Sequence, residues 1–127
     1  MSLDPGLHAS FRYAVTADDT ALALGSGDVE VLATPRVVAL VERATCAAVA
    51  DALTDDLTTV GTRVELDHAA PTPVGGTVTV EAVLEAVDGR KLTFGVRVSD
   101  DERAVATGTV TRVLVTRERF LRAAGGQ

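Results

Sequence analysis

Apolar residues recur at every second position in several stretches of this chain and at every third or fourth in one, which separates strands from a single long helix. Leu7, Ala9, Phe11, Tyr13 and Val15 share one register and predict a first strand over residues 7–15. Residues 16–33 follow neither period. They carry Asp18-Asp19 and Gly25-Ser26-Gly27 and are expected to form an irregular excursion with one short helical turn. Thr34-Pro35 then starts the helix, with a hydroxyl at the N-cap and proline at the first helical position, where no N–H is needed. The helix is expected to run to about Leu53. Its only charged residues are Arg36, Glu42, Arg43 and Asp51, so it should be largely enclosed.

The rest of the chain reads as strand and turn. A strand over residues 57–69 places Val60, Thr62, Val64, Leu66 and His68 on one face and Arg63, Glu65 and Asp67 on the other, and Pro71 and Pro73 close it. The next strand, residues 77–87, has Val78, Val80, Ala82, Leu84 and Ala86 on one face. Asp88-Gly89 signals a tight hairpin, and residues 91–99 return with Leu92, Phe94, Val96 and Val98 inward. Asp100-Asp101-Glu102 turns again into a last strand over residues 104–115, and a short turn follows before the Gly-Gly-Gln end. There is no internal repeat or linker. One strand, one apolar helix and an antiparallel meander predict an α+β fold, a single domain over residues 1–127 whose antiparallel sheet wraps one long buried helix.

Composition narrows the possible partners. With 127 residues and 46% apolar content the chain can build one core, mainly of Val, Leu and Ala, since aromatics are only 3%. The net charge of −6 argues against nucleic acid and anionic membranes. No segment has the apolar length of a membrane span, and the start Met-Ser-Leu-Asp-Pro-Gly lacks a basic-then-apolar export signal. The single Cys46 forms no internal disulfide. A cytoplasmic protein is the expectation. Cys46 reads as a small core residue and His8 as solvated. Glu, His and Cys do not fall at metal-ligand spacing, so neither a metal nor a cofactor is expected. Gly25-x-Gly27 and Gly75-Gly76 do not have the pattern of phosphate loops and read as turns.

Two ionisable residues stand where the pattern asks for apolar ones. Val38, Ala39, Thr45, Cys46 and Val49 lie on the side of the helix that carries Glu42. His68 lies on the strand face of Val64 and Leu66. A carboxylate and an imidazole aimed at one interior suggest acid–base chemistry. Each also has a plain structural reading. Glu42 can pair with Arg112, which breaks an otherwise small or apolar register. His68 can be a hydrogen-bonded strand-end residue, and Thr34 an N-cap. Arg112 can be that partner or can bind substrate.

The run Leu32-Ala-Thr-Pro-Arg-Val-Val-Ala-Leu-Val-Glu42 and the strand Gly61-Thr-Arg-Val-Glu-Leu-Asp-His68, with its Pro-rich exit to Val80, resemble the fluoroacetyl-CoA thioesterase family of hotdog-fold enzymes. The Asp-Gly-Arg hairpin and the spacing Gly108-Thr109, Arg112, Phe120 agree, so the resemblance covers about Leu32 to Phe120. It implies hydrolysis of a small acyl-CoA, with Thr34, Glu42 and His68 as the catalytic group. Gly61 and Arg112 would be at the substrate, and a homodimer or dimer of dimers would form the site. In the family member with that specificity, phenylalanines ahead of the threonine contribute to recognition of the fluorinated acyl group. Here those positions are Gly25 and Asp28, and the segment to Leu32 has no aromatic, which argues against fluoroacetyl-CoA itself.

The chemistry is consistent with that implication. A thioester needs a nucleophile, a proton carrier and donors for the developing oxyanion. A helix N-terminus at Thr34 offers N–H groups and the positive end of the helix dipole. Glu42 can activate water or attack directly, and His68 can protonate the thiolate or orient the water. CoA phosphates would draw on Arg36, Arg63, Arg90, Lys91, Arg117, Arg119 and Arg122. An acyl-carrier-protein donor is disfavoured by the acidic charge. The other readings are a non-catalytic small-molecule binder on the same fold, a hydratase, whose Asp…His spacing is missing, and a purely structural partner.

Overall fold

The computed structural model describes residues 2–101 and 103–125; Glu102 of the expected turn, Met1 and the last two residues of the Gly-Gly-Gln end lie outside them. The elements in chain order are β1 (His8–Ala14), α1 (Ala21–Leu24), α2 (Thr34–Val49), β2 (Leu57–His68), β3 (Thr77–Asp88), β4 (Lys91–Ser99), β5 (Ala104–Thr116) and α3 (Arg117–Ala123). A single 3-10 turn at Ala17–Asp19 precedes α1, and another at Ala50–Ala52 extends α2 toward Leu53. The strands form one antiparallel sheet in the order β1-β3-β4-β5-β2. The sheet curls around α2, which is the hotdog arrangement expected.

The core lies between α2 and one face of that sheet. Val37, Leu40, Val41, Ala44, Ala48 and Val49 form the buried stripe of the helix. They pack with Val78, Val80, Ala82 and Leu84 of β3, Leu92, Phe94 and Val98 of β4, and Val110 of β5. Each fully buried Val, Leu or Phe contributes about 1.5–3 kcal/mol. Ala44, with no exposure, keeps the middle of α2 slim where the helix lies on the sheet.

The flank that carries Glu42 is only partly enclosed. Thr45 and Val49 are buried. Val38 and Glu42 are half-buried, and Ala39 and Cys46 are exposed. The expectation of a largely enclosed helix therefore fails on this flank, and Cys46 is a surface thiol rather than a core residue. Periodicity reports that a flank is apolar but not which surface covers it.

Two bulges shift the predicted faces. In β2 the register slips between Gly61 and Arg63, so Thr62 is the extra residue. Thr59 and Gly61 are therefore inward before the bulge, and Val64, Leu66 and His68 after it, whereas Val60 and Thr62 leave that face. In β3 a slip between Leu84 and Ala86 exposes Ala86 and turns Val87 toward the core. The hairpin loop is Gly89-Arg90, one position beyond the expected centre. Asp88 pairs with Lys91, and Gly89 at φ 59° supplies the left-handed conformation that a two-residue loop needs.

Candidate active site

Thr34 is the first residue of α2 rather than its cap. The N-cap is Ala33, whose carbonyl accepts the N–H of Val37 at 3.0 Å, and Pro35 follows in the first turn. The Thr34 hydroxyl is thereby released from capping. Its Oγ1 lies 2.7 Å from His68 Nδ1, joining the helix start to the last residue of β2. The hydroxyl donates when the ring carries its proton on Nε2 and accepts in the other tautomer. Burial lowers the His68 imidazole below its ordinary 6.5, and a backbone hydrogen bond at Ala70 pulls the other way. A neutral ring held on a hydroxyl at a helix N-terminus is suited to moving a proton there.

Glu42 belongs to a second cluster. Eight residues further along α2 means about 12 Å along the helix axis. Its Oε2 accepts from Arg112 Nη1 at 3.0 Å. Arg112, only 6% exposed, also donates from Nε to Thr59 Oγ1 at 2.8 Å and from Nη2 to the Thr59 carbonyl at 2.9 Å. The reading of Arg112 as Glu42's partner is thus the one observed. Gly61 faces the same carboxylate, and a Cβ there would overlap Glu42 Oε2 and come within 3.3 Å of Arg112 Nη1. The bare Cα lets the carboxylate lie flat on the strand. Glu42 keeps 35% of its side chain exposed, so one oxygen is anchored while the group still reaches solvent. Within one chain the structure joins Thr34 to His68 and Glu42 to Arg112 and Gly61, and it does not join the two sets.

A buried carboxylate that the sequence reading passed over holds the helix entry in place. Asp19, 2% exposed, accepts from Tyr13 Oη at 2.7 Å, from Thr16 N–H at 2.7 Å and from Thr16 Oγ1 at 3.1 Å, and its Oδ1 lies 2.9 Å from Arg36 Nε. Burial pushes its carboxyl up, but the Thr16 and Tyr13 hydrogen bonds and the Arg36 charge outweigh that and leave it below its ordinary 3.8. The Asp19 carbonyl also accepts Ala33 N–H at 2.9 Å, one residue before Thr34. The Thr16-x-x-Asp19 spacing of a capping box was the available signal.

The segment between Asp19 and Thr34 folds back as a flap. Ala21 N–H donates to Val31 O at 2.9 Å, and Leu32 N–H to Thr72 O at 2.8 Å in the proline-rich exit of β2. Between flap and exit a cleft of about 330 Å³ opens beside Thr34 and His68, walled by Ser26, Asp28, Val29, Val31, Ala69 and Pro71 among others. A larger hollow of about 500 Å³ lies on the sheet face opposite α2, over Glu85 and Arg97, and neither a hydroxyl–imidazole pair nor a helix start reaches it. The smaller cleft is the one with chemistry on its wall.

The overall form is that of known hotdog proteins. The structure superposes on a hot-dog-like protein from Thermanaerovibrio acidaminovorans with a TM-score of 0.86 at 22% identity, over 94% of this chain and 89% of that one, a likeness of fold alone. It superposes on the fluoroacetyl-CoA thioesterase FlK with a TM-score of 0.90 at 30% identity, covering 98% of this chain and 96% of that one. A variant of the same enzyme solved with fluoroacetate and CoA gives 0.87 at 31% identity, over 93% and 99%. The family described as fluoroacetyl-CoA-specific thioesterase matches residues 15–118. The fluoroacetyl-CoA thioesterase of Streptantibioticus cattleyicolor is 38% identical over 91 residues, which are 72% of this chain and 66% of that protein, just under two thirds of its length. The chain belongs to the fluoroacetyl-CoA-specific thioesterase family.

Proposed function

We propose that this protein hydrolyses the thioester of a small acyl-CoA, as one hotdog domain working in a cytoplasmic homodimer. The observation that carries this reading is the Thr34 hydroxyl on His68 Nδ1, at a helix start on the wall of a cleft. In the proposed reaction the acyl carbonyl lies against the first turn of α2. The Thr34 hydroxyl and the first-turn N–H groups, with Pro35 offering none, stabilise the oxyanion. Glu42 takes a proton from water as the water oxygen bonds to the carbonyl carbon, and the tetrahedral intermediate then breaks its C–S bond; or Glu42 attacks that carbon itself, breaking the C–S bond to give an anhydride that water then opens. In either route a proton drawn from water reaches the thiolate by way of His68, and free acid and CoA leave.

Glu42 is too far along its own helix to serve the Thr34 and His68 of the same chain, and a second copy resolves this. β2 ends the sheet as an edge strand of twelve residues, and the neighbouring helix flank of Val38, Ala39 and Cys46 is apolar and uncovered. Antiparallel pairing of two β2 edges would bring the two flanks together and offer each Thr34–His68 pair the Glu42 of the other copy. Gly61 and Arg112 then serve the substrate by presenting that carboxylate. Fluoroacetyl is not the favoured acyl group, because residues 25–32 of the flap contain no aromatic.

The test is CoA release from a panel of short acyl-CoAs by wild type, Glu42→Ala and His68→Ala. Turnover by wild type that both substitutions abolish, with folding intact, supports the reading. Ligand binding without turnover on any substrate would make the protein a binding module instead.

A further inference from the structure

Resting on that acyl-CoA reading, we propose that the cleft selects short acyl groups carrying a hydrogen-bond donor, an ammonium above a hydroxyl, and that Asp28 is the selecting residue. Among the described residues on the cleft wall, Asp28 is the only carboxylate, and neither Arg nor Lys lines it. The cations nearby are already committed. Arg36 lies on Asp19, and Arg103 pairs with Asp100 at 2.9 Å while its Nη2 donates to Pro71 O at 2.9 Å. Asp28 is exposed at the mouth of the cleft, and among the described residues no ion pair or hydrogen bond occupies its carboxylate.

The flap tip that bears Asp28 is braced. Gly25 closes α1 at φ 72°, Ser26 N–H donates to Ala21 O at 3.0 Å and Leu22 N–H to Val29 O at 3.1 Å, so the carboxylate sits on a tied turn. At about 330 Å³ the cleft is at the small end for ligand sites, which limits the acyl chain to a few atoms beyond the carbonyl. Val29, Val31, Ala69 and Pro71 supply apolar wall for the methylenes. A carboxylated acyl group would meet Asp28 as a like charge.

The experiment compares kcat/KM for four CoA esters of matched length: β-alanyl (ammonium), 3-hydroxypropionyl (hydroxyl), butyryl (neutral) and malonyl (carboxylate). It is run on wild type, Asp28→Asn and Asp28→Lys. Kd values are measured in parallel for non-hydrolysable analogues in which a methylene replaces the sulfur. The expected wild-type order is that of the list. The β-alanyl to malonyl ratio should fall at least about tenfold in Asp28→Asn and invert in Asp28→Lys. A ratio unchanged by either substitution, or butyryl preferred over β-alanyl in wild type, overturns the proposal. If no ester is hydrolysed, the thioesterase reading fails by itself, and the order of analogue Kd values, with its response to Asp28, still decides the selection.

Discussion

The two polar clusters along α2 are built on opposite principles. At the helix start, Thr34 and His68 share one hydrogen bond, have no ion-pair partner among the described residues and stand on the wall of an open cleft. Two turns on, Glu42 is half-buried against Arg112, whose donors are divided between that carboxylate and Thr59. The first cluster contributes little to stability and is free to exchange a proton. The second is a satisfied pair whose loss leaves a buried guanidinium without its counter-charge. Candidate catalytic residues on one helix can thus be held by different forces, and substitutions should separate them.

The largest expected effect is shared by the two clusters in activity and divided in stability. His68→Ala and Glu42→Ala should each lower kcat by about 10²–10⁴-fold. His68→Ala should change unfolding free energy by less than about 1 kcal/mol, whereas Glu42→Ala should cost about 1–3 kcal/mol because Arg112 is left unpaired. Urea denaturation beside steady-state kinetics checks both; equal stability loss in the two variants would erase the distinction.

Next in size is Arg112→Ala. It removes a buried cation with three hydrogen bonds and should cost about 3–5 kcal/mol, while slowing turnover only through the misplaced carboxylate. Gly61→Ala is subtler. The added Cβ must push Glu42 off the strand, and a displacement of that kind should lower kcat about 10- to 100-fold with little effect on KM. Gly61→Ala with wild-type kcat would mean that the carboxylate position does not matter.

The smallest effects are in pH. His68 has a folded pKa below its ordinary 6.5, so below about that pH the unfolded chain binds more protons than the folded one, and stability falls as the solution becomes more acidic. Asp19 is depressed below its ordinary 3.8; its contribution is complete above that value and is lost as pH drops toward its folded pKa. Stability measured against pH should therefore decline in two stages. His68→Gln should remove the upper stage and Asp19→Asn the lower one.

Much of the fold was legible because it depends on long, regular signals. The β4 register, the buried Val78, Val80, Ala82 and Leu84, and the helix start at Thr34-Pro35 all follow from alternation and from proline geometry. The bulges at Thr62 and Glu85 did not, since one inserted residue leaves no trace in hydrophobicity. Glu42 was read as aimed inward because its neighbours Val38, Ala39 and Cys46 are apolar, yet that flank is uncovered in a single chain. The Thr34–His68 contact was anticipated as a pairing of roles but not as geometry, because an N-cap assignment engages the hydroxyl that the structure leaves to the imidazole. Asp19 was missed because a doubled aspartate in an irregular stretch looks solvated until the strand of Tyr13 and the helix of Arg36 close over it.

The most direct test of the account mixes two inactive proteins. If each site uses Thr34 and His68 of one copy with Glu42 of the other, equal parts of Glu42→Ala and His68→Ala, allowed to exchange subunits, should recover about a quarter of wild-type acyl-CoA hydrolysis, since half the dimers are mixed and one of their two sites is intact. Activity no greater than the sum of the two parents, with subunit exchange verified, would contradict it.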